Sequence, residues 1–156
     1  RKALILCSYL TKEHVHAGVW EMKIVIYANV TKDWKDIIHT PYGVAQFRSY
    51  ITRSFITSNL PYKHPSKKAV TGDIIVWAFR TGKTWYLIGD GYVSEKEGSD
   101  RKGWAFWIES ARLYPRGVQL DEFSFADKVK KRLNVGYSMN WNEYRQLLEK
   151  ASEPIV

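Results

Sequence analysis

The sequence predicts an α+β fold, a small curled mixed sheet or partly closed barrel flanked by helices. Three observations predict it. Five runs have strand length and strand composition, at 2–10, 23–30, 74–80, 84–95 and 104–115. Helical spacing of apolar residues is confined to 32–39, a segment near 44–60 and the last third of the chain. The runs at 74–115 follow one another through short connections, which favours antiparallel pairing over regular βαβ alternation. A length of 156 residues fits one domain, 1–156, in which 1–21 form an N-terminal extension or an extra strand.

"KALILCSYL" (2–10) reads as a strand and "HVHAGVW" as a short connection. "KIVIYANV" (23–30) is rich in β-branched residues, as strands are. Thr31 can cap the helix "KDWKDIIH", in which Trp34, Ile37 and Ile38 share a face. Pro41-Tyr42-Gly43 breaks the chain, and 44–60 suits either a helix or a strand. "PYKHPSKKAVTGD" (61–73) is a basic loop with two prolines. "IIVWAFR" (74–80) is a buried strand, "TGK" a turn, and "TWYLIGDGYVSE" (84–95) its hairpin partner. The charged loop "KEGSDRKG" (96–103) leads to the strand 104–115. Ser124 and Asp127 have the spacing of a capping box for "FADKVKKRL". After an extended return at 134–140, Asn140 can cap a helix with Trp141, Tyr144, Leu147, Leu148 and Ala151 on one face.

The net charge is +8, with 7 Trp, 10 Tyr and 6 Phe. Cationic charge suggests a polyanionic partner, and surplus aromatics are what base stacking requires. A basic protein with incidental charge, or a protein-interaction domain, is the alternative. A single cysteine, Cys7, excludes intramolecular disulfides and cysteine-rich zinc sites. No apolar run approaches the ~20 residues that span a bilayer. The start has no cleavage pattern, so the expectation is a cytoplasmic protein without a membrane partner. Scarce Gln and abundant charge point towards a thermophilic source.

Catalytic motifs are missing. "RTGKTW" carries the letters GKT without the upstream Gly, and it falls in a hairpin turn where a P-loop needs strand, loop and helix. His14 and His16 form an H-x-H pair on a connector with no third ligand in view. Cys7 sits among apolar residues, where thiols are ordinarily inert. The expectation is a binding module, not an enzyme, with no catalytic residues, metal or cofactor.

Five stretches in order resemble the PUA-like superfamily, in particular its EVE and YTH domains. "IVIYANVTKDWKDIIHTPYGV" (24–44) looks like the family's opening strand, Asn-containing turn, short helix and aromatic beside Gly-Val. "AVTGDIIVWAFR" (69–80), "WYLIGDGYVSE" (85–95), "GWAFWIESARLYP" (103–115) and "RLNVGYSMNWNEYRQLLEK" (132–150) are similar to its later strands and last helix. The resemblance covers about residues 22–150. It implies a module that binds nucleic acid and takes a flipped, modified base into an aromatic cage. Related domains target modification-dependent restriction systems of the McrBC type. The resemblance therefore implies methylated DNA before RNA as ligand, and a GTPase or nuclease partner on the same or another chain. An RNA-binding module of the same superfamily is the alternative.

Carried over residue by residue, the resemblance puts edge readers at Asn29 and Asp33 and a cage aromatic at Tyr42, where the family usually has Trp. Asn offers a donor and an acceptor to an adenine edge, whereas ionised Asp only accepts. N6-methyladenine in DNA is the first choice of ligand and 5-methylcytosine the second. A helix first-turn carboxylate and a turn residue are the ordinary readings of Asp33 and Asn29. Trp104 is the nearest candidate for the second wall, with Trp77 and Trp85 as alternates that suit a core equally well. Trp20 has the motif's letters in the wrong place. Lys63, Lys67, Lys68, Arg101 and Lys102 are the candidates for phosphate contacts, and the basic helix at 128–132 has a solvated face as its ordinary explanation. We expect binding of nucleic acid with log K falling almost linearly with log salt. A flat salt response, or no binding at low salt, would remove the inference from charge.

Overall fold

Two apolar clusters, one on each face of a single sheet, explain why β1 and β3 are hydrophobic at nearly every position. A computed structural model describes residues 22–28, 49, 53 and 60–152. Six strands form the sheet: β1 (Ile24–Ala28), β2 (Tyr62–His64), β3 (Ile74–Thr81), β4 (Thr84–Ser99), β5 (Gly103–Gln119) and β6 (Tyr137–Met139), in the order β2-β5-β4-β3-β1-β6. β1 runs parallel to β3, and every other pairing is antiparallel. The helices are α1 (Ala126–Lys130) and α2 (Trp141–Ala151), with a 3-10 turn at Leu120–Glu122. This is a mixed α+β architecture with an open sheet. Successive strand residues point to opposite faces. Ile24, Ile26, Ile74, Val76 and Ala78 therefore join the helix-side cluster with Val129, Tyr144 and Leu147. Val25, Tyr27, Ile75, Trp77 and Phe79 join the other cluster with Tyr62, Phe106 and Ile108.

The sheet curls around this second cluster. β2 is an edge strand and β1 lies fourth beyond it in the order, yet their side chains meet. The Tyr27 ring stacks on His64 with centroids 4.1 Å apart, and the Tyr62 hydroxyl donates to the Ala28 carbonyl at 3.4 Å. The segment 65–72 closes over the same cluster. Tyr27 Oη accepts from Ala69 N–H at 2.8 Å and donates to the Ser66 carbonyl at 3.2 Å. Side chains thus bridge the gap that no backbone ladder closes among the described residues.

The hairpin forms where expected. Thr81 pairs with Thr84 across Gly82-Lys83, and Gly82 has φ +61°, the positive value that primed hairpin turns need. The letters GKT are therefore a β-turn. The next hairpin is longer than its sequence suggests. β4 and β5 continue through most of the charged stretch 96–103, leaving only Asp100–Lys102 between them. β5 also continues past Pro115, which falls in an interruption of the ladder between Leu113 and Val118. Opposite the bulges, a Cβ on Gly91 would collide with Ile108, so only Gly admits this approach.

Two further readings of the sequence are corrected. β2 lies inside the stretch 61–73 taken as loop; its Lys63 is exposed between buried Tyr62 and His64, an alternation too short to register. The Ser124–Asp127 capping box does not form. Phe125, one residue beyond Ser124, occupies the N-cap position of α1 and has no side-chain cap, while in the preceding turn Glu122 accepts from the Gln119 N–H. At α2 the cap is made. Asn140 accepts from Glu143 N–H at 2.8 Å, and Glu143 accepts from Asn140 N–H at 3.1 Å.

A buried carboxylate latches α2 to the sheet. Asp90 on β4 accepts from Tyr114 Oη at 2.8 Å, Tyr144 Oη at 2.9 Å and Arg112 Nε at 2.8 Å. Burial and the neighbouring Asp90 charge raise both tyrosines well above their ordinary values, so they act as donors. Removing Asp90 leaves two buried hydroxyls, of Tyr114 and Tyr144, without their acceptor at about 1–3 kcal/mol each, while half-exposed Arg112 can turn to water. Losing one hydroxyl donor costs about 1–3 kcal/mol. We expect Asp90→Ala to lower unfolding free energy in urea by the larger amount and Tyr144→Phe by the smaller. Equal effects would show that the carboxylate is not the centre of the latch.

Candidate nucleic-acid interface

The β2 edge, which pairs only with β5 among the described residues, and the tip of the β4–β5 hairpin flank a cleft of about 570 Å³. Lys63, Arg101, Lys102 and Trp104 line it, with His64, Glu97 and Asp100 beside them. Local pairing brings these residues together. His64 is opposite Trp104 and Lys63 opposite Ala105 in the β2–β5 ladder, and Gly98 is opposite Trp104 in the β4–β5 ladder. Alternation puts Lys63 on the face away from Trp104. The cleft therefore wraps around the sheet edge and does not lie on one face.

Trp104 stands on the inner side of the curl, half-buried against the second cluster. The Lys96 ammonium lies 4.5 Å from its ring centroid, within cation–π range. Its Nε1 is buried and lacks a hydrogen-bond partner among the described residues. Lys96 Nζ donates to the Lys67 carbonyl at 2.7 Å, and Lys23 Nζ donates to the Lys68 carbonyl at 3.0 Å. Two lysines thus hold successive carbonyls of the segment that sequence reading nominated for its own lysine side chains. The Lys67 ammonium turns to Asp100 at 3.2 Å, an exposed pair of little strength. Burial lowers the pKa of Lys96, and the Lys23 and Lys67 charges lower it further against the opposing pull of Asp73 and Asp100.

The remaining sequence candidates fall elsewhere. Trp77 is fully buried, edge-on to Tyr62, with no face open to a ligand. Trp85 belongs to the helix-side cluster, under Arg80 at 5.7 Å, on the opposite face of the sheet from Trp104. Asn29, Asp33, Tyr42 and Trp20 lie outside the described residues, as do Cys7, His14, His16 and the helix expected at 32–39. Among the described residues no group of three or more His, Cys, Asp or Glu is placed to hold a metal, and no helix is long and apolar enough to cross a membrane. No protein-family model, curated protein or solved structure matches the chain.

Sequence reading missed Lys96 and His64. Lys96 was hidden in a run taken as a charged loop, and His64 in one taken as a basic loop. His64 is 3% exposed, and its Nδ1 accepts from Ser66 N–H at 3.0 Å. Burial pulls its pKa down to about 4, partly offset by the Ala28 carbonyl. The folded imidazole is thus neutral where an unfolded one, near 6.5, begins to protonate. Its contribution to stability is complete above about pH 6.5 and is lost as pH falls towards 4, by roughly 3 kcal/mol in full. We expect His64→Asn, which keeps an acceptor near Nδ1, to flatten the fall in urea stability between pH 6.5 and 4. A variant with the parental pH dependence would show that another group is responsible.

Proposed function

We propose that this chain is a nucleic-acid-binding module of the PUA-like type that reads a modified base. The observation that carries the reading is the convergence of Lys63, Arg101, Lys102 and Trp104 on one cleft. These residues were chosen from the sequence for different reasons, three for phosphate and one for stacking. A strand passing the β2 edge meets cationic groups for its backbone and an indole for one base. Phosphate contacts position a strand and carry no sequence information, whereas the aromatic site can select. The curled sheet is compatible with a PUA-like domain, and the ordered resemblance over 22–150 supports that assignment.

On this reading Asn29, Asp33 and Tyr42 complete the base site. N6-methyladenine in DNA is the preferred ligand and 5-methylcytosine the second. A nuclease or GTPase partner would then supply the activity that this module directs, as in modification-dependent restriction. The module itself has a targeting role.

A screen of methylated and plain oligonucleotides, as DNA and as RNA, tests the reading directly. Stacking is worth roughly 1–3 kcal/mol per base. We expect Trp104→Ala to weaken binding about 5- to 150-fold and to cut the preference for the methylated strand. Arg101→Ala with Lys102→Ala should weaken methylated and plain strands equally and make the salt dependence shallower. Tyr42→Ala and Asp33→Ala should reduce preference more than overall affinity. Folded Trp104 and Tyr42 variants with full preference would refute the site, and a parent protein without preference would refute modified-base reading.

A further inference from the structure

We propose that Lys96, between Lys23 and Lys67, is a binding site for a phosphate group at the inner mouth of the curl, beside Trp104. The inference rests on the nucleic-acid reading only for the source of the phosphate. The site itself is argued from charge and geometry.

The successive carbonyls of Lys67 and Lys68 each accept from an ammonium, of Lys96 and Lys23 respectively. This brings two cations to adjacent peptide units, one of them on Lys67, the residue that carries a third. Two carboxylates serve this group of three lysines, so one positive charge remains in excess. Asp73 is fully buried and already engaged: it accepts from Lys23 N–H at 2.9 Å and Val70 N–H at 2.9 Å, and it pairs with Lys23 Nζ at 3.2 Å. Asp100 is paired with Lys67. Among the described residues, no carboxylate lies within ion-pairing distance of Lys96. Lys96 is partly buried as a residue, and its ammonium is held by one carbonyl and two aromatic rings, Trp104 at 4.5 Å and Phe106 at 5.8 Å.

Lys96 so placed has like charges near it and no carboxylate of its own among the described residues. The like charges of Lys23 and Lys67, together with burial, disfavour its protonated form, and an arriving anion reverses that balance. A tetrahedral phosphate offers several oxygens to several ammoniums at once, which a carboxylate with two oxygens does less well. The indole adjoining Lys96 gives the base of a nucleotide a surface one step from its phosphate. The Lys63, Arg101 and Lys102 group at the outer side of the cleft is distinct, because alternation puts Lys63 on the other face.

The two sources of phosphate, free anion and strand backbone, are separated by probe. The full chain carrying ¹³C-labelled lysine is titrated first with inorganic phosphate and then with a single-stranded oligonucleotide. We expect phosphate to shift the Lys96 side-chain resonance and raise its apparent pKa. Lys96→Gln should lose phosphate affinity at least tenfold, and Lys96→Arg should keep it within threefold. Lys63→Ala should leave it within twofold. With the oligonucleotide, Lys96→Gln should reduce the slope of log K against log salt by about 0.7.

The proposal is overturned if phosphate leaves the Lys96 resonance unmoved, or if folded Lys96→Gln binds phosphate like the parent. Should Lys96→Gln fail to fold, the parent titration and the Arg variant decide. Phosphate on Lys96 with no oligonucleotide binding would uphold the site as one for free phosphate and end the nucleic-acid reading. Oligonucleotide binding indifferent to Lys96, in affinity and salt slope, would end the proposal and leave that reading standing.

Discussion

The Tyr27 side chain joins the parts of this fold that hydrogen-bonded ladders leave apart. It sits on β1, yet its ring lies on His64 of β2, at the far edge of the sheet. Its hydroxyl fixes two points of the segment 65–72. Without it the curl would lean on the Ala28 carbonyl, which accepts from the Tyr62 hydroxyl and lies beside His64. Ser66, set by the same contacts, donates onward to the Val135 carbonyl at 2.6 Å, just before β6. One aromatic residue thus couples both edges of the sheet to the segment over its mouth. The burial that makes this coupling strong is also what keeps His64 neutral.

Polar groups on the two faces are treated differently. On the helix side Asp90 is surrounded by donors, so the carboxylate fixes α2 against the sheet and has no spare capacity for a ligand. At the mouth of the curl the cations outnumber their partners, and an indole stands half-open beside them. Satisfied buried networks make a fold rigid, while incompletely satisfied groups near solvent are where ligands gain affinity. That contrast places the candidate site at the mouth and not at the buried aspartate, although the aspartate network is the more conspicuous cluster.

Strands with continuous apolar composition were legible, and so was the Gly82 turn between two of them. α2 was legible too, because its apolar spacing and its Asn140 cap agree. What stayed hidden depends on long-range pairing. β2 is three residues between prolines, and only its partner β5 makes it a strand. The hairpin tip reads as loop because β4 exposes Glu95 and Glu97 there and the turn is charged at Asp100, Arg101 and Lys102. Ser124 offered a valid local cap, but α1 begins one residue later, with Phe125 at its N-cap. In the site, Lys63, Arg101, Lys102 and Trp104 were legible as types of residue. The role of Lys96 was not, since it comes from a carbonyl 29 residues away in sequence. Trp77 illustrates the converse: its composition suits a cage, and its strand position puts it in the core.

The edges of the sheet formed by the described residues have a consequence for how the protein behaves in concentrated solution. Exposed strand edges recruit other chains when they are long, flat and apolar. Among the described residues both edge strands have three residues, and each carries a polar residue exposed at its centre, Lys63 on β2 and Ser138 on β6. A neighbouring molecule finds too short a ladder to extend, and on the β2 side it must also desolvate a lysine. The same shortness that leaves room for a cleft at β2 therefore resists edge-to-edge aggregation. It does so without the full barrel closure that would have sealed the cleft.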